Sequence, residues 1–406
     1  MTLPPRSVIA VSLAVAATLL GDTLLYAVLP AIWESLGLEL WMVGVLLSAN
    51  RFVRLLTNPL AGRVVERIGA GRPFAAAVVL GALTTAAYAG GGFAVLLAAR
   101  LLWGLCWSFL RLGGYIAALD AADDDHRGYY LGFFSGTARL GTLVAVLAGG
   151  VLTDTIGFRA TTLVFGAATL LAGLALVRAH LPGQDAHPAA SAEAPPDTTG
   201  TAPQGGRAAL RALHAAAFLN GAAGSTVIVA TLGLLLLQRF GAEVAVLGLV
   251  VGIASLNGVL LGVRFAIDLV WAPAAGHLSD RVGRAPVLFV TALVTAVAMA
   301  GLAADAGLGR TAALAVVAFL GGTALRAVLD SIAGDLAPVD QRARSLSVYA
   351  NWSDLGAATG PFLAYQVVGI VGLSGVYGVS AGALCAVGLG AVAVHRLSPA
   401  SRQRAA

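Results

Sequence analysis

Pro59-x-x-Gly62-x-x-x-Glu66-Arg67-x-Gly69 returns 214 residues later as Pro273-x-x-Gly276-x-x-x-Asp280-Arg281-x-Gly283. Arg111, Asp120, Arg127 and Gly141 return in turn as Arg326, Asp335, Arg342 and Gly356, at an offset of 215. A chain of 406 residues that repeats at just over half its length is built from two like halves. Each copy of the first motif follows a long apolar run. The fold therefore depends on what those runs are.

Composition answers that. The chain is 58% hydrophobic and 11% charged, with a mean hydropathy of +0.87. Soluble domains carry about 25% charged residues, so too few charges are present here to cover a water-facing surface. A soluble enzyme, a nucleic-acid module and a disordered protein are excluded together. The chain reads as an integral membrane protein whose partner is the lipid bilayer and not nucleic acid. All 25 basic side chains are Arg, and the formal charge is +5. Cys106 and Cys385 both lie in apolar runs and read as buried thiols, without a disulfide or a metal site.

A helix crosses the hydrocarbon core in about 20 mainly apolar residues. Residues 73–99, 160–177, 215–238 and 285–304 carry no charge, and the uncharged run 355–395 is long enough for the end of one span and the whole of another. With the spans interrupted by single charges, twelve are predicted, near 8–33, 41–61, 73–91, 93–119, 128–152, 158–178, 210–237, 244–273, 285–304, 310–333, 344–368 and 371–395. The first reads as a retained helix, because its apolar run is longer than a signal-peptide core. With both termini inside, fifteen Arg fall in cytoplasmic segments and three (Arg159, Arg239 and Arg310) in outer loops. That asymmetry predicts cytoplasmic termini. Residues 181–208 hold five of the fifteen prolines and read as a disordered cytoplasmic linker. The predicted organisation is a six-helix bundle over 1–180, the linker, and a second six-helix bundle over 209–406.

The motifs resemble those of the major facilitator superfamily, and the resemblance covers essentially the whole chain. Gly276-His-Leu-Ser-Asp280-Arg281-Val-Gly283-Arg284 is similar to the family's signature loop. Its first-half partner, from Gly62 to Arg72, has Glu66 for Asp and extra residues before the last Arg. Arg100-Leu-Leu-Trp103-Gly104 in the fourth span resembles the motif associated with proton transfer. Gly141-Thr-Leu-Val-Ala145-Val146-Leu-Ala-Gly149-Gly150 in the fifth lacks the central Gly-Pro pair of proton-coupled drug exporters, which appears instead in the eleventh as Gly360-Pro361. The resemblance implies an all-α membrane fold of two pseudo-symmetric bundles, a secondary transporter, and a monomer. It also implies a clamp of Gly62, Glu66, Arg67, Gly276, Asp280, Arg281 and Arg284, in which Arg67 and Arg281 close on the carboxylates.

An ionisable group at the bilayer centre costs at least about 2.5–3.5 kcal/mol. Eleven lie inside the predicted spans, clear of their terminal residues: Asp22, Arg51, Arg54, Arg100, Arg111, Arg139, Arg264, Asp268, Arg326, Asp330 and Asp354. Arg264 with Asp268, and Arg326 with Asp330, stand at i, i+4 spacing and can neutralise each other on one helix face. Arg54 occupies the repeat position of Asp268, and Arg139 that of Asp354, with opposite charge in both cases. The resemblance implies that the second span packs on the eleventh and the fifth on the eighth. It thereby suggests gating pairs Arg54–Asp354 and Arg139–Asp268, at matched depths of about 10–16 Å from the helix ends. Asp22, with no basic residue within a turn, is the first candidate for proton coupling, joined by Arg100, Asp268 and Asp330. Candidate substrate contacts are Arg51, Arg54, Arg111, Arg264 and Arg326, with Asn220, Asn257 and Asn351. The run Asp123-Asp124-Asp125 reads as a solvated loop.

Two transport readings follow, and a non-transporting scaffold that would need no such buried charges is the third. One is a proton-coupled exporter of a drug or of an acidic or zwitterionic metabolite, in the plasma (inner) membrane. The other is a carrier or exchanger of an anionic metabolite held by the intramembrane Arg, whose guanidinium binds carboxylate or phosphate in a bidentate way. No phosphate-cradling Gly-Lys-Ser/Thr loop is present, so nucleotide drive, an enzymatic reaction and a cofactor are not expected.

Overall fold

A computed structural model of the chain describes residues 4–123, 126–178, 204–246, 248–338 and 342–397. The predicted linker falls largely, and Asp124 and Asp125 wholly, outside them. Among the described residues eleven helices are long and apolar enough to cross a membrane. In the first half these are α1 (Arg6–Ile32), α2 (Leu40–Ile68), α3 (Gly71–Ala87, extended by a 3-10 turn Tyr88–Gly90), α4 (Phe93–Asp120), α5 (Arg127–Ile156) and α6 (Phe158–Arg178). Then α7 (Gln204–Ala223) and α8 (Ser225–Phe240) share one span, followed by α9 (Ile253–Val282), α10 (Arg284–Ala303), α11 (Leu308–Leu336) and α12 (Arg342–Leu397). At 56 residues α12 is about 84 Å along its axis, far beyond a bilayer core of about 30 Å. It breaks at Gly372 (φ 68°) into two lengths that each suffice to cross, which completes the twelve.

Three boundaries differ from the sequence reading. Residues 243–252 form a two-stranded antiparallel hairpin, β1 (Glu243–Val246) and β2 (Leu249–Gly252), in place of the start of the eighth span. A short Val-rich run has no period that separates strand from buried helix. The ninth helix accordingly starts later and runs to Val282, and α2 likewise runs to Ile68. The signature residues Gly62–Arg67 and Gly276–Arg281 are thus helical, and the turn itself is Gly69 (φ 76°) in one half and Gly283 (φ 104°) in the other.

The described chain divides into two compact units, 1–195 with 241–262, and 196–240 with 263–406. In the first, α1 packs on α5 and α6, α2 on α4, and α3 on α4 and α6. Val11, Val15, Phe74, Val78, Trp103 and Leu110 close its core. In the second, α7 packs on α12, and α10 on α11 and α12. Repeat mates Gly141 and Gly356 explain the tightest of these approaches. A Cβ on Gly141 would stand 2.4 Å from the Ala16 carbonyl oxygen of α1, and one on Gly356 2.1 Å from that of Phe218 in α7. Only glycine lets helix backbones meet this closely. The hairpin-side end of α9 packs in the first unit. Asp154 of α5 accepts from the Ser255 backbone N–H (2.7 Å) and hydroxyl (2.5 Å), and Asn257 donates to the Ala27 carbonyl (2.6 Å).

Candidate functional site

Two clusters of buried charge form, one in each unit. In the first, Arg100 of α4 is wholly buried and pairs with Asp22 of α1, which is 13% exposed. The same carboxylate oxygen accepts from Asn50 Nδ2 of α2 at 2.8 Å, and Arg100 Nε donates to the Leu46 carbonyl at 2.8 Å. Both Arg100 and Arg51 lie over the Tyr26 ring, each with its guanidinium carbon 5.6 Å from the centroid, and the Tyr26 hydroxyl donates to the Leu47 carbonyl (2.7 Å). The buried Tyr88 side chain stands against Arg100. Three helices and the turn after α3 therefore converge on one carboxylate.

Local sequence explains how Arg100 arrives there. Gly104, one turn further along α4, faces α2. A Cβ at that position would stand 2.3 Å from Val53 Cγ1 and 2.6 Å from the Asn50 carbonyl oxygen. Without that side chain α4 lies close enough for Arg100 to reach both the α2 backbone and Asp22. Trp103 anchors the other side by donating to the Thr18 carbonyl of α1 at 3.3 Å. An ion pair taken out of water needs such added partners, since one carboxylate and one guanidinium alone do not recover their desolvation cost.

In the second unit Asp268 of α9 is 5% exposed and carries three partners. Arg264 Nη1, one turn earlier, and Arg326 Nη2 of α11 both stand 3.0 Å from Oδ2, and the Thr323 hydroxyl donates to Oδ1 at 2.5 Å. Arg264 extends to the Ser225 hydroxyl at the start of α8 (3.4 Å) and lies 5.1 Å from the Phe265 ring centre. The i, i+4 expectation holds for Arg264 and Asp268 but not for Arg326 and Asp330. Arg326 turns to Asp268 on the neighbouring helix, and Asp330 accepts from the Tyr349 hydroxyl of α12 at 2.6 Å. Buried Asp268, able to take two cations, outcompetes the half-exposed carboxylate on Arg326's own helix.

The signature motif of the second half forms a closed network, with one change from the expected membership. Arg284, and not Arg281, meets Asp280 (2.5 Å) and Asp335 (3.0 Å), and donates to the Ser279 hydroxyl (2.6 Å). Arg284 opens α10 just after the Gly283 turn, so it projects back toward α9 and α11. In the first half Glu66, Arg67, Arg72 and Asp120 make no such network among the described residues. Two extra residues, Ala70 and Gly71, push Arg72 past the turn into α3.

The remaining candidates differ in burial. Arg51, Arg54 and Arg111 are half-buried, Arg139 and Asn351 are exposed, and Asp354 is half-buried on α12. Asn220 is buried in α7, and Asn257 is committed to the α1 backbone as described. Gly62 and Gly276 have open space where a Cβ would lie. Sequence reading missed Tyr26, Asn50, Thr323 and Tyr349 as members of the charge clusters. Polar side chains in apolar spans were the available signal for all four. Asp154 was missed because it lies just past the fifth span as drawn.

Comparison with known proteins places the chain. The profile of the Major Facilitator Superfamily matches residues 11–267 and 213–406. A stretch of 128 residues is 34% identical to the human (Homo sapiens) chromaffin granule amine transporter, covering 31% of this chain and 24% of that protein. Another of 117 residues is 32% identical to the vesicular acetylcholine transporter of Tetronarce californica, covering 28% and 23%. The chain thus matches about a quarter of the length of these curated relatives. Among solved structures, a peptide transporter POT in complex with alafosfalin superposes with a TM-score of 0.79 at 16% identity, covering 97% of this chain and 94% of that one. A bacterial homolog to the human lysosomal transporter Spinster gives 0.74 at 14%, covering 96% and 94%. At these identities the structures show the shared fold. With the profile spanning both halves of the repeat, the chain belongs to the Major Facilitator Superfamily.

Proposed function

We propose that this protein is a secondary transporter that exchanges protons for a small organic solute, exporting a drug or an acidic or zwitterionic metabolite across the plasma membrane as a monomer with cytoplasmic termini. The observation that carries this reading is the Asp22–Arg100 pair. A carboxylate within the membrane, partly open and held by one guanidinium and one amide, has a natural two-state chemistry. Ionised, it binds Arg100; protonated, it releases it. A proton and the cationic group of a zwitterionic solute then compete for the same carboxylate, which is the requirement for exchange, while the solute's own carboxylate takes Arg100. The proton carriers proposed are Asp22, Asp268 and Asp330, with Arg100 as the switch on Asp22. Arg51, Arg54, Arg111, Arg264 and Arg326, with Asn220, Asn257 and Asn351, are the proposed solute contacts. No bond chemistry is assigned to any residue.

The surplus of Arg over Asp within the spans, seven against four, supports a solute with a negative group. A second reading has its own support. The likeness to amine and acetylcholine transporters favours a cationic amine, which would take the carboxylates and not the guanidiniums as its contacts.

Proteoliposomes holding a pH dye and an imposed proton gradient test the proposal. Carboxylates, zwitterions and amines are added in turn to wild type and to Asp22→Asn. Proton release triggered by an acidic or zwitterionic solute, and lost in the variant, is expected. Release triggered by amines alone selects the second reading. Anion counterflow with no proton movement refutes proton coupling and leaves an anion exchanger.

A further inference from the structure

A groove of about 370 Å³ runs between α2, α3 and α4, on the Arg-rich side of the membrane. Val64 and Ile68 of α2, Ala76 and Leu80 of α3, and Phe109 of α4 line it, and Arg72 at the start of α3 is its charged member. From Arg72 to Leu80 is eight residues of helix, about 12 Å, which approaches the depth of one leaflet of a core about 30 Å thick. Ile68 is 59% exposed at the rim, so the groove opens to the surroundings of the bundle.

The state of Arg72 gives the groove its chemistry. Its repeat mate Arg284 is committed to Asp280, Asp335 and Ser279. The Ala70-Gly71 insertion moves Arg72 beyond the reach of Glu66 and Asp120, and among the described residues its guanidinium has no ion pair or hydrogen bond. Arg72 also occupies the second position of α3, where the free backbone N–H groups and the helix dipole favour an anion. Exposed Arg63 and Arg67 add positive charge on the adjacent last turns of α2, against the single carboxylate of Glu66. An uncommitted cation stands at the headgroup level, above an apolar slot one leaflet deep.

We infer that this groove is a binding site for one anionic phospholipid, with an acyl chain between α2, α3 and α4 and its phosphate on Arg72. An apolar solute or a second copy of the chain would fill the slot without using the charge. A soluble phosphate would use the charge without the slot. A phospholipid uses both. None of the residues that line the groove belongs to the Asp22 cluster, so its occupancy is tested independently of the transport reading.

Native mass spectrometry of the full chain, released from micelles containing equal amounts of dioleoylphosphatidylglycerol and dioleoylphosphatidylcholine, tests it. Wild type is expected to retain one phosphatidylglycerol with about fivefold preference, the factor that one well-placed Arg supplies at a membrane surface. Arg72→Gln removes the preference and keeps some lipid, whereas Ala76→Trp fills the slot and loses both lipids. Should the Trp variant fail a thermal-unfolding control, Ala76→Leu replaces it with the same expectation. Equal retention of the two lipids by wild type, or an unchanged preference in Arg72→Gln, overturns the assignment and leaves ordinary boundary lipid. Retention of a second protein copy in place of lipid overturns it as well.

Discussion

Arg100 reaches Asp22 across 78 residues of sequence, and no other basic side chain pairs with that carboxylate among the described residues. Removing one member of a buried pair strands the other, at a cost of about 3–5 kcal/mol. Asp22→Asn and Arg100→Gln are each expected to lower the unfolding midpoint in detergent, with the double variant losing less than the sum. Additive losses would show that the two side chains act independently and would remove the pair from the mechanism.

Gly104 sets how close α4 comes to α2. Gly104→Ala places a methyl against the Asn50 carbonyl, a backbone atom that cannot rotate away. The expected loss is about 1–3 kcal/mol of stability, the usual cost of overpacking, together with loss of proton-coupled flux. Wild-type stability and flux in this variant would mean that α2 and α4 have slack at the Arg100 position.

Thr323 donates the shortest contact to Asp268, and the hydroxyl is fully enclosed. Thr323→Val keeps the shape and deletes the donor, so it should cost about 1.5–3 kcal/mol, as for a hydrogen bond to a charged group. Thr323→Ser keeps the donor and should lose less. If Ser is as damaging as Val in a thermal-unfolding series, packing and not the hydrogen bond is what this position supplies.

The Asp280–Arg284–Asp335 network lies at the surface, with both carboxylates more than half exposed. Exposed ion pairs contribute about 0–1 kcal/mol, so Asp280→Asn is expected to leave the unfolding midpoint nearly unchanged. Its expected effect is on transport rate, because the network ties α9, α10 and α11 together. Normal flux in Asp280→Asn would reduce the network to decoration.

The signature motif, the repeat and the span count were legible in the sequence because each depends on local pattern: apolar run length, the places of Gly and Pro, and the distribution of Arg. The same local rules misled at three points. The Val-rich run 243–252 has no distinguishing period and became a hairpin. Spacing i, i+4 on α11 suggested Arg326 with Asp330, and a better carboxylate on α9 took the Arg. The consecutive pair Asp280-Arg281 suggested its own closure, while the turn at Gly283 brought Arg284 round instead.

By itself, then, the sequence determined the solvent, the number of crossings and the twofold internal design, since the free energy of placing side chains in lipid is a sum over residues and can be read one residue at a time. Only the tertiary structure decided the partners of the buried charges. Asp22, Asp268 and Arg284 each had several candidates of the right sign. The choice among them depends on distances of a few ångströms, set by where glycines let helices close and where a turn redirects a side chain. A buried charge selects its partner by geometry, and that geometry arises only when helices far apart in the chain pack together.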